Sequence, residues 1–206
     1  MAKTEHGNTT RQRILRAAVE VLVTKGFANL TIKDVAQATG IAFGNVTYHY
    51  PSKDALIDDM LTLLLDDYRQ RFASLGAPLS LAESPVRQLV EWVIDDALTV
   101  HTARTFTELW AMSNHNPVRA AQVQQLYDDA IESFIVALGV DPAMPQTGQL
   151  RSALYFFACI SEGSSAIFGN RPAEHAERGP FRQQAIDVLV PLIEQALAHC
   201  RTDAKN

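Results

Sequence analysis

The 206-residue sequence contains little cysteine and no long hydrophobic run. Its longest apolar stretch, residues 153–160, is far shorter than the ~18 to 20 residues that a helix needs to cross a bilayer. No apolar segment typical of a secretory signal follows the first methionine. Cys159 and Cys200 have no metal-ligand spacing, which favours free thiols in a reducing compartment. We therefore expect a cytoplasmic protein without a membrane partner.

Catalytic motifs are also missing. The sequence has no GxSxG, P-loop, dinucleotide-binding or HExxH pattern. His101, Glu108 and His115 recur at intervals of seven residues, which could indicate a metal site on one helix face. A helix break expected near Thr102 and a helix start at Asn116 favour solvated or capping roles instead. We expect no enzymatic activity, no metal and no cofactor.

What the sequence does contain is helical periodicity along almost its entire length, without the alternating pattern of a β-strand. Glycine and proline divide the chain into nine predicted helices, three short ones followed by six longer ones. The first helix is expected to begin at Thr9 or Thr10 and to end near Lys25, and the fifth to end near residue 101. Pro191 predicts a kink or a local break in the ninth helix. The fold class is therefore all-α.

The second and third predicted helices lie close together and have well-marked ends. Thr31 is a predicted N-cap, and Asp34 occupies the third helical position, as in a capping box. Gly40 ends the second helix, and the third begins three residues later. Pro51 closes the third helix at about Tyr50. This spacing predicts a helix-turn-helix.

The net charge of −5 is unevenly distributed along the chain. Residues 1–55 contain seven lysines and arginines against four acids, a net charge of +3. The remaining residues contain 11 basic and 19 acidic side chains, a net charge of −8. A polyanion would be attracted by the first segment and repelled by the rest. The distribution favours nucleic acid as a partner of the N-terminal segment.

The third helix, at about residues 43–50, is predicted to have one inward side. Val46 and Tyr50 are four residues apart and point the same way, with Ile41 and Phe27 expected beside them in a small core. A helix this short is held only by packing. Its other side chains carry amide, hydroxyl, imidazole and aromatic groups that suit base edges and phosphates. These outward residues are Phe43, Asn45, Thr47, Tyr48 and His49.

This N-terminal stretch resembles the TetR family of one-component regulators. The resemblance covers about fifty residues, from Thr10 to about Leu61, and begins with an alanine-rich first helix. A series of short motifs then follows at matching spacings: Lys25-Gly26-Phe27, Leu30-Thr31-Ile32, Val35-Ala36, Gly40-Ile41 and Tyr48-His49-Tyr50-Pro51-Ser52-Lys53, with Leu56. The resemblance implies a helix-turn-helix DNA-binding domain at residues 1–54 and a six-helix effector-binding and dimerisation domain at residues 55–206.

By position, the resemblance also implies which residues meet DNA. Thr31 and Lys53 would touch backbone phosphates, and the DNA-facing residues would be Phe43, Gly44, Asn45, Thr47, Tyr48 and His49. Two positions depart from the family pattern. Ala42 stands where the family usually has serine or threonine, so the third helix lacks a side-chain cap, typically worth ~1 kcal/mol. The family usually has tyrosine where Thr47 stands, and the aromatic residue here is Tyr48.

The larger domain matches the family only in the number and length of its helices. The resemblance implies an effector cavity between the fourth to eighth helices. Its walls and polar anchors would be Trp92, His101, Phe106, Glu108, Trp110, Tyr127 and Phe156, with Ser113, Asn114 and Glu162 as further anchors. A mostly apolar lining would favour a hydrophobic or aromatic effector. Aromatic stripes at helical spacing are also typical of an ordinary core, and the residues alone leave both interpretations open.

In the family, the eighth and ninth helices of two subunits form a four-helix dimer interface. The sequence suits that role, because the ninth helix presents five apolar residues at helical spacing: Ile186, Leu189, Val190, Ile193 and Leu197. A two-fold dimer would place two recognition helices ~34 to 36 Å apart on a pseudo-palindromic operator. The resemblance implies a repressor that an effector releases from double-stranded operator DNA. An activator, a helical enzyme and an interaction protein with a non-functional DNA module remain alternatives.

Overall fold

A computed structural model describes residues 2–75 and 83–203, with side chains for residues 9–75 and 83–201. Within these ranges the regular structure consists of nine α-helices and a short 3₁₀ helix at Pro145–Thr147, with no strand. The predicted all-α class and the predicted number of helices are thereby confirmed. The helices are α1 Ala2–Lys25, α2 Ile32–Thr39, α3 Phe43–His49, α4 Lys53–Ser74, α5 Pro85–Ala97, α6 Val100–Ser113, α7 Pro117–Ala137, α8 Gly148–Phe168 and α9 Arg178–Asp203.

The start of α1 differs from the prediction. The helix begins at Ala2 rather than at Thr9 or Thr10, and it ends at Lys25 as expected. Once a helix is nucleated, each added residue contributes a further hydrogen bond, so a helix fixed by its packed part extends readily. That packed part contains Ile14, Ala18 and Leu22, all fully buried. Gly26, with φ of 79°, ends α1.

The boundary between α5 and α6 also lies elsewhere than predicted. α5 ends at Ala97, and α6 begins at Val100 instead of Ala103. Thr99 explains the difference, because its Oγ1 accepts a hydrogen bond from the backbone N–H of Thr102 at 3.2 Å. This is the geometry of an N-cap, which starts a helix at the residue that follows. The predicted break near Thr102 was therefore placed about three residues too late.

Of the kink or local break predicted at Pro191, the break is absent, since α9 continues through this residue. Proline removes one helical hydrogen bond, here the one to the carbonyl of Asp187. Leu189 and Ile193, on either side of it, are fully buried in the core. Their burial outweighs the loss of one backbone hydrogen bond.

The chain divides into two compact units that do not follow the predicted boundary after residue 54. The first unit contains the residues up to Tyr68 together with Thr107–Val123. Its core contains apolar side chains from α1, α2, α3 and α4, among them Leu22, Val35, Val46 and Leu56. The α6–α7 corner therefore belongs to the same compact unit as the three N-terminal helices. The functional domain boundary at residues 54 and 55 stays a prediction.

The second unit contains Arg69–Phe106 and the residues from Gln124 onward. Its core lies where α5, α8 and α9 pack against one another. The fully buried side chains there include Leu89, Ile94, Leu150, Leu189 and Ile193. These buried aliphatic side chains come from all three helices and fix how the helices pack.

Candidate nucleic-acid interface

The turn between α2 and α3 has the geometry that the sequence predicts. Thr31 caps α2, because its Oγ1 accepts the Asp34 N–H at 3.1 Å and donates to the Asp34 carboxylate at 2.6 Å. Gly40, with φ of 68°, lies in the left-handed region and ends the helix. The Thr39 hydroxyl then accepts the N–H of Ile41 at 3.1 Å. The two helices are thus joined by a short turn held by its own hydrogen bonds.

An ion pair supports the start of α2. The Lys25 ammonium lies 2.8 Å from Asp34 Oδ1. Together, Lys25 and Thr31 hold the pKa of Asp34 below its usual range by hydrogen bonds to the carboxylate. The Thr31 hydroxyl therefore has a structural partner, and its predicted contact with a phosphate stays a prediction.

Helix α3 buries one side and exposes the other, as predicted. Val46 and Tyr50 are almost completely buried, whereas Ile41 and Phe27, expected beside them, are only partly buried. Tyr48 is 83% exposed and Phe43 54% exposed. We call the outward residues of α3, which the sequence predicts to face DNA, the DNA-binding face; they are Phe43, Gly44, Asn45, Thr47, Tyr48 and His49. In this face Gly44 and Asn45 are exposed, and Thr47 and His49 are partly exposed.

Hydrogen bonds and open space around α3 determine what its residues can offer to a ligand. The Thr47 hydroxyl donates within the helix, to the carbonyls of Phe43 and Gly44, both at 3.1 Å. It therefore presents a methyl group and an acceptor rather than a free donor. Ala42 forms no side-chain cap, as its identity predicts. A Cβ added to Gly44 would meet no atom within 4 Å, so packing does not require glycine there.

The positive charge of the N-terminal segment is partly neutralised by its own acids. Arg11 pairs with Asp59, and Arg16 lies 4.0 Å from Asp67. Arg13 and Lys33 are exposed and have no carboxylate partner among the described residues. Arg13 only donates a 3.4 Å hydrogen bond to the Thr39 carbonyl. These two side chains retain the charge that could attract a polyanion, although neither belongs to the motif series of the N-terminal segment.

Tyr50 links the end of α3 to two neighbouring helices. Its hydroxyl accepts from Arg11 Nε at 3.0 Å and donates to Asp59 Oδ2 at 3.1 Å. Burial raises the pKa of the Tyr50 hydroxyl to about 12. The position of the DNA-binding face is thereby tied to α1 and α4.

Lys53, predicted to touch phosphate, contacts the turn between α1 and α2. Its Nζ donates to the Phe27 carbonyl at 2.9 Å and lies 5.0 Å from the centre of the Phe27 ring. Glu108, predicted as an effector anchor, reaches the same residue. Its Oε2 accepts the Phe27 N–H at 2.6 Å. Both predicted roles stay untested, and both side chains have partners within the protein.

A further contact that the sequence did not predict joins α7 to the start of α4. Arg119 donates to Asp54 and to Asp58, in each case at 3.0 Å. The Arg119 side chain is only 7% exposed, whereas Asp54 and Asp58 are 82% and 58% exposed. Burial lowers the pKa of the guanidinium, but its hydrogen bonds to the two carboxylates outweigh this effect, and the pKa lies above its usual value.

Two of the predicted effector residues are in contact with each other. Phe106 and Tyr127 are neighbours, with ring centres 6.4 Å apart. Trp92 is partly buried and stacks below Arg71, whose guanidinium lies 5.4 Å from the ring centre. Trp110 is 40% exposed. His101 is exposed at the start of α6.

Phe156 lies at the surface, and its predicted role as a cavity wall stays a prediction. It is 45% exposed and lines an open groove of about 890 Å³ between α8 and α9, beside Val188, Pro191 and Leu192. Among the suggested polar anchors, the Ser113 hydroxyl is buried and donates to the Trp110 carbonyl at 3.0 Å, Asn114 is exposed and Glu162 is partly buried.

His101, Glu108 and His115, considered above as possible metal ligands, have surroundings that indicate other roles. His101 and His115 are exposed, and the Glu108 carboxylate binds the Phe27 N–H. Across the described ranges, no three His, Cys, Asp or Glu side chains are grouped closely enough to hold a metal ion. In the same ranges, no helix combines the length and the apolar character needed to cross a membrane.

Residues 14–60 match the family model of the bacterial regulatory proteins of the TetR family. The HTH-type transcriptional regulator in the dhlA 5′ region of Xanthobacter autotrophicus is 30% identical over 132 residues, which cover 61% of this chain and 63% of that protein. The regulator BetI 1 of Chromohalobacter salexigens is 25% identical over 202 residues, or 94% of this chain and 95% of the relative.

The fold extends the match beyond the N-terminal helices. A crystal structure of a TetR-family transcriptional regulator from Mesorhizobium loti superposes with a TM-score of 0.71 at 17% identity, and the match covers 93% of this chain and 96% of the other. The motif series, the exposed face of α3 and these matches agree with one another. Residues 14–60 are thus similar to the bacterial regulatory proteins of the TetR family, and the fold of the chain is similar to that of a TetR-family regulator.

Proposed function

We propose that this protein is a ligand-responsive transcriptional regulator that binds operator DNA through the DNA-binding face of α3. The observation that carries the proposal is that this seven-residue helix has one buried side and one exposed side. Val46 and Tyr50 anchor it in the core, while Asn45 and Tyr48 stand in solvent. Polar and aromatic groups held outward on a short, anchored helix gain little from the fold itself, and they suit the major groove.

Each exposed group has a specific use in a groove. The amide of Asn45 can pair bidentately with adenine, and the Thr47 methyl can contact the methyl group of thymine. Tyr48 and His49 can reach phosphate oxygens. The bare Gly44 lets the helix approach DNA closely. Arg13 and Lys33 supply positive charge that no carboxylate among the described side chains neutralises.

We also propose that the protein acts as a homodimer through α8 and α9. Phe156, Val188 and Leu192 expose 45%, 45% and 37% of their surface on neighbouring parts of these helices, and Ile167 exposes 57%. Large apolar side chains gathered along one groove are typical of an interface. Two copies joined by this face would present two DNA-binding faces to a pseudo-palindromic operator.

For the effector we propose a small hydrophobic or aromatic molecule that contacts the neighbouring rings of Phe106 and Tyr127. Trp92 would add to its apolar surroundings. The effector can release the operator only if it binds the DNA-free state more tightly than the DNA-bound state. Repression is the proposed direction of control, with the effector tilting α4 and changing the distance between the two recognition helices.

The test starts from duplexes that the wild-type protein selects from a random library, compared with a scrambled duplex of the same length and composition. Substitution of Asn45 or Thr47 by alanine should weaken binding to the selected duplex by ~1–3 kcal/mol each. Asn170→Ala is the matched control, because Asn170 is exposed and lies outside the N-terminal helices. Unchanged binding by both α3 variants would contradict the proposal and favour an interaction protein.

A further inference from the structure

Phe27, which lies in the turn between α1 and α2, is held at both of its backbone polar groups by charged side chains. Its N–H donates to Glu108 Oε2 at 2.6 Å. Its carbonyl accepts from Lys53 Nζ at 2.9 Å, and the same ammonium lies 5.0 Å from the centre of the Phe27 ring. We call this arrangement of Phe27, Glu108 and Lys53 the Phe27 clamp.

The backbone at Gly26 is fitted to the Glu108 carboxylate. Gly26 adopts φ of 79°, which L side chains rarely adopt. A Cβ at this position would lie 3.3 Å from Glu108 Oε1, closer than an ordinary contact. The carboxylate therefore packs directly against the bare α-carbon of Gly26 while it accepts the N–H of Phe27. The turn and the carboxylate are complementary in shape as well as in hydrogen bonding.

Burial alone does not explain the clamp. Gly26 and Phe27 are only partly buried, so water could satisfy the N–H and the carbonyl of Phe27. Instead, a carboxylate reaches this turn from a residue 81 positions later in the chain. A charge-assisted hydrogen bond is short and directional, and it fixes the position of the groups it joins. The geometry is that of a positioning contact.

A second contact holds the start of α4, where Lys53 of the clamp lies. Arg119 pairs with Asp54, the residue next to Lys53, and with Asp58 one turn further along α4. The α6–α7 corner, within Thr107–Val123, thus reaches the turn after α1 through Glu108 and the start of α4 through Arg119. Both contacts lie inside one compact unit. The turn that leads into α2 and α3 is consequently held from α4 and α6 together.

We propose that Glu108 is a positioning residue for operator recognition, acting through Phe27 rather than binding the effector. The inference rests on the proposed function and deepens it. Sequence-specific contacts require the DNA-binding face to lie at a fixed place and angle, whereas non-specific attraction depends on charge. Loss of the Glu108 contact should therefore reduce specific binding and leave non-specific binding unchanged.

The test compares Glu108→Ala with Glu108→Gln, because the glutamine carbonyl can still accept the Phe27 N–H. Binding is measured for the selected duplex and for the scrambled duplex at one salt concentration. Glu108→Ala should lower affinity for the selected duplex about ten-fold, the order of one hydrogen bond to a charged group. Its affinity for the scrambled duplex should stay within about two-fold of wild type. Glu108→Gln should recover most of the loss.

Glu91→Ala is the matched control. Glu91 is a partly exposed carboxylate on α5 that pairs with Arg87 one turn away, at 3.4 Å, and its removal should change neither affinity. A second readout is independent of DNA. Hydrogen exchange at the Phe27 amide should speed up at least ten-fold in Glu108→Ala, while exchange of the amides within α1 stays at the wild-type rate.

The outcomes separate the inference from the proposed function. A wild-type protein that does not prefer the selected duplex would overturn both. A wild type that does prefer it, with a Glu108→Ala variant of equal preference, would overturn the inference alone. Equal losses on both duplexes, or no rescue by Glu108→Gln, would also overturn it, because a general loss of folding would then explain the effect. Unchanged exchange at Phe27 would show that the contact is not made in solution.

Discussion

The hydroxyl of Tyr50 donates a hydrogen bond to Asp59 over 3.1 Å, which joins the end of the recognition helix α3 to α4. The same hydroxyl accepts from Arg11 Nε, on α1, at 3.0 Å. The backbone N–H of Tyr50 bonds to the Val46 carbonyl at 2.8 Å and closes the last turn of α3. One buried side chain thus connects three helices directly beneath the DNA-binding face.

Tyr50→Phe keeps the ring and removes only this hydroxyl. At neutral pH we expect the free energy of unfolding to fall by about 1 kcal/mol, the usual net value of such a hydrogen bond. The pKa of Tyr50, raised by burial to about 12, adds a pH dependence. A raised pKa in the folded state means that the contribution is complete below the ordinary tyrosine value near 10 and is lost as the pH rises towards about 12.

Urea denaturation measures the first effect, and ultraviolet absorbance of tyrosinate measures the second. The titration of wild type minus that of Tyr50→Phe should give one tyrosine with a midpoint near 12. A difference curve centred near 10 would show that Tyr50 is not buried as described.

Much of the N-terminal part could be predicted from sequence because its signals are local. The Thr31 cap, the left-handed Gly40 and the inward pair Val46 and Tyr50 each depend on residues within one or two turns of the chain. One local signal, the N-cap that starts α6, was nevertheless missed. Thr99 caps α6 as Thr31 caps α2, but the stronger apolar pattern around it concealed the boundary.

The contacts that join distant segments could not be predicted from sequence. Glu108 and Phe27 are 81 residues apart, and Arg119 and Asp54 are 65 residues apart. No periodicity relates such positions, and a lone glutamate on a helix resembles any solvated charge. The surface position of Phe156 could not be predicted either, since an aromatic residue on an apolar helix fits a cavity wall and an exposed interface equally well.

Gly44→Ala should stabilise the protein and weaken DNA binding. Alanine is favoured over glycine within a helix by up to ~1 kcal/mol, and the added methyl group would meet no protein atom within 4 Å. The same methyl group would project from the DNA-binding face and keep the helix away from the groove. Thermal unfolding and binding to the selected duplex should therefore change in opposite directions.

The control for this pair of measurements is Gly148→Ala. Gly148 opens α8 and also has open space around its α-carbon. This variant should leave DNA affinity unchanged. If Gly44→Ala bound the selected duplex as tightly as wild type, α3 would not approach DNA through this position.

Breaking the Arg119 ion pairs should lower the free energy of unfolding by different amounts, depending on which partner is removed. Removing both carboxylates, in Asp54→Asn with Asp58→Asn, leaves a cation that is 7% exposed without a charged partner, and we expect a cost of about 3 kcal/mol. Arg119→Met returns two exposed carboxylates to water and keeps apolar volume, so its cost should be smaller, about 1 kcal/mol.

Denaturant unfolding of the two variants checks this order. Asp95→Asn is the control for an exposed pair, since Asp95 and Arg182 are 52% and 35% exposed, and it should cost less than about 1 kcal/mol. A larger loss in Arg119→Met than in the double asparagine variant would contradict the argument from burial.

Phe156→Asp tests the proposed dimer face. A charge placed between Val188 and Leu192 would have to be buried without a partner if two copies meet there, so the variant should sediment as a monomer at concentrations where wild type is a dimer. Val136→Asp places the same charge on an apolar residue that is 59% exposed on α7, away from the groove, and should remain dimeric.

DNA binding gives the same comparison a second readout. A monomer can still place one DNA-binding face in a groove, so Phe156→Asp should retain its affinity for a half-site and lose the additional affinity for the full inverted repeat. Val136→Asp should keep both affinities. A Phe156→Asp variant that remains dimeric and binds the full repeat like wild type would place the subunit contact elsewhere, and the exposed apolar groove between α8 and α9 would then need another occupant.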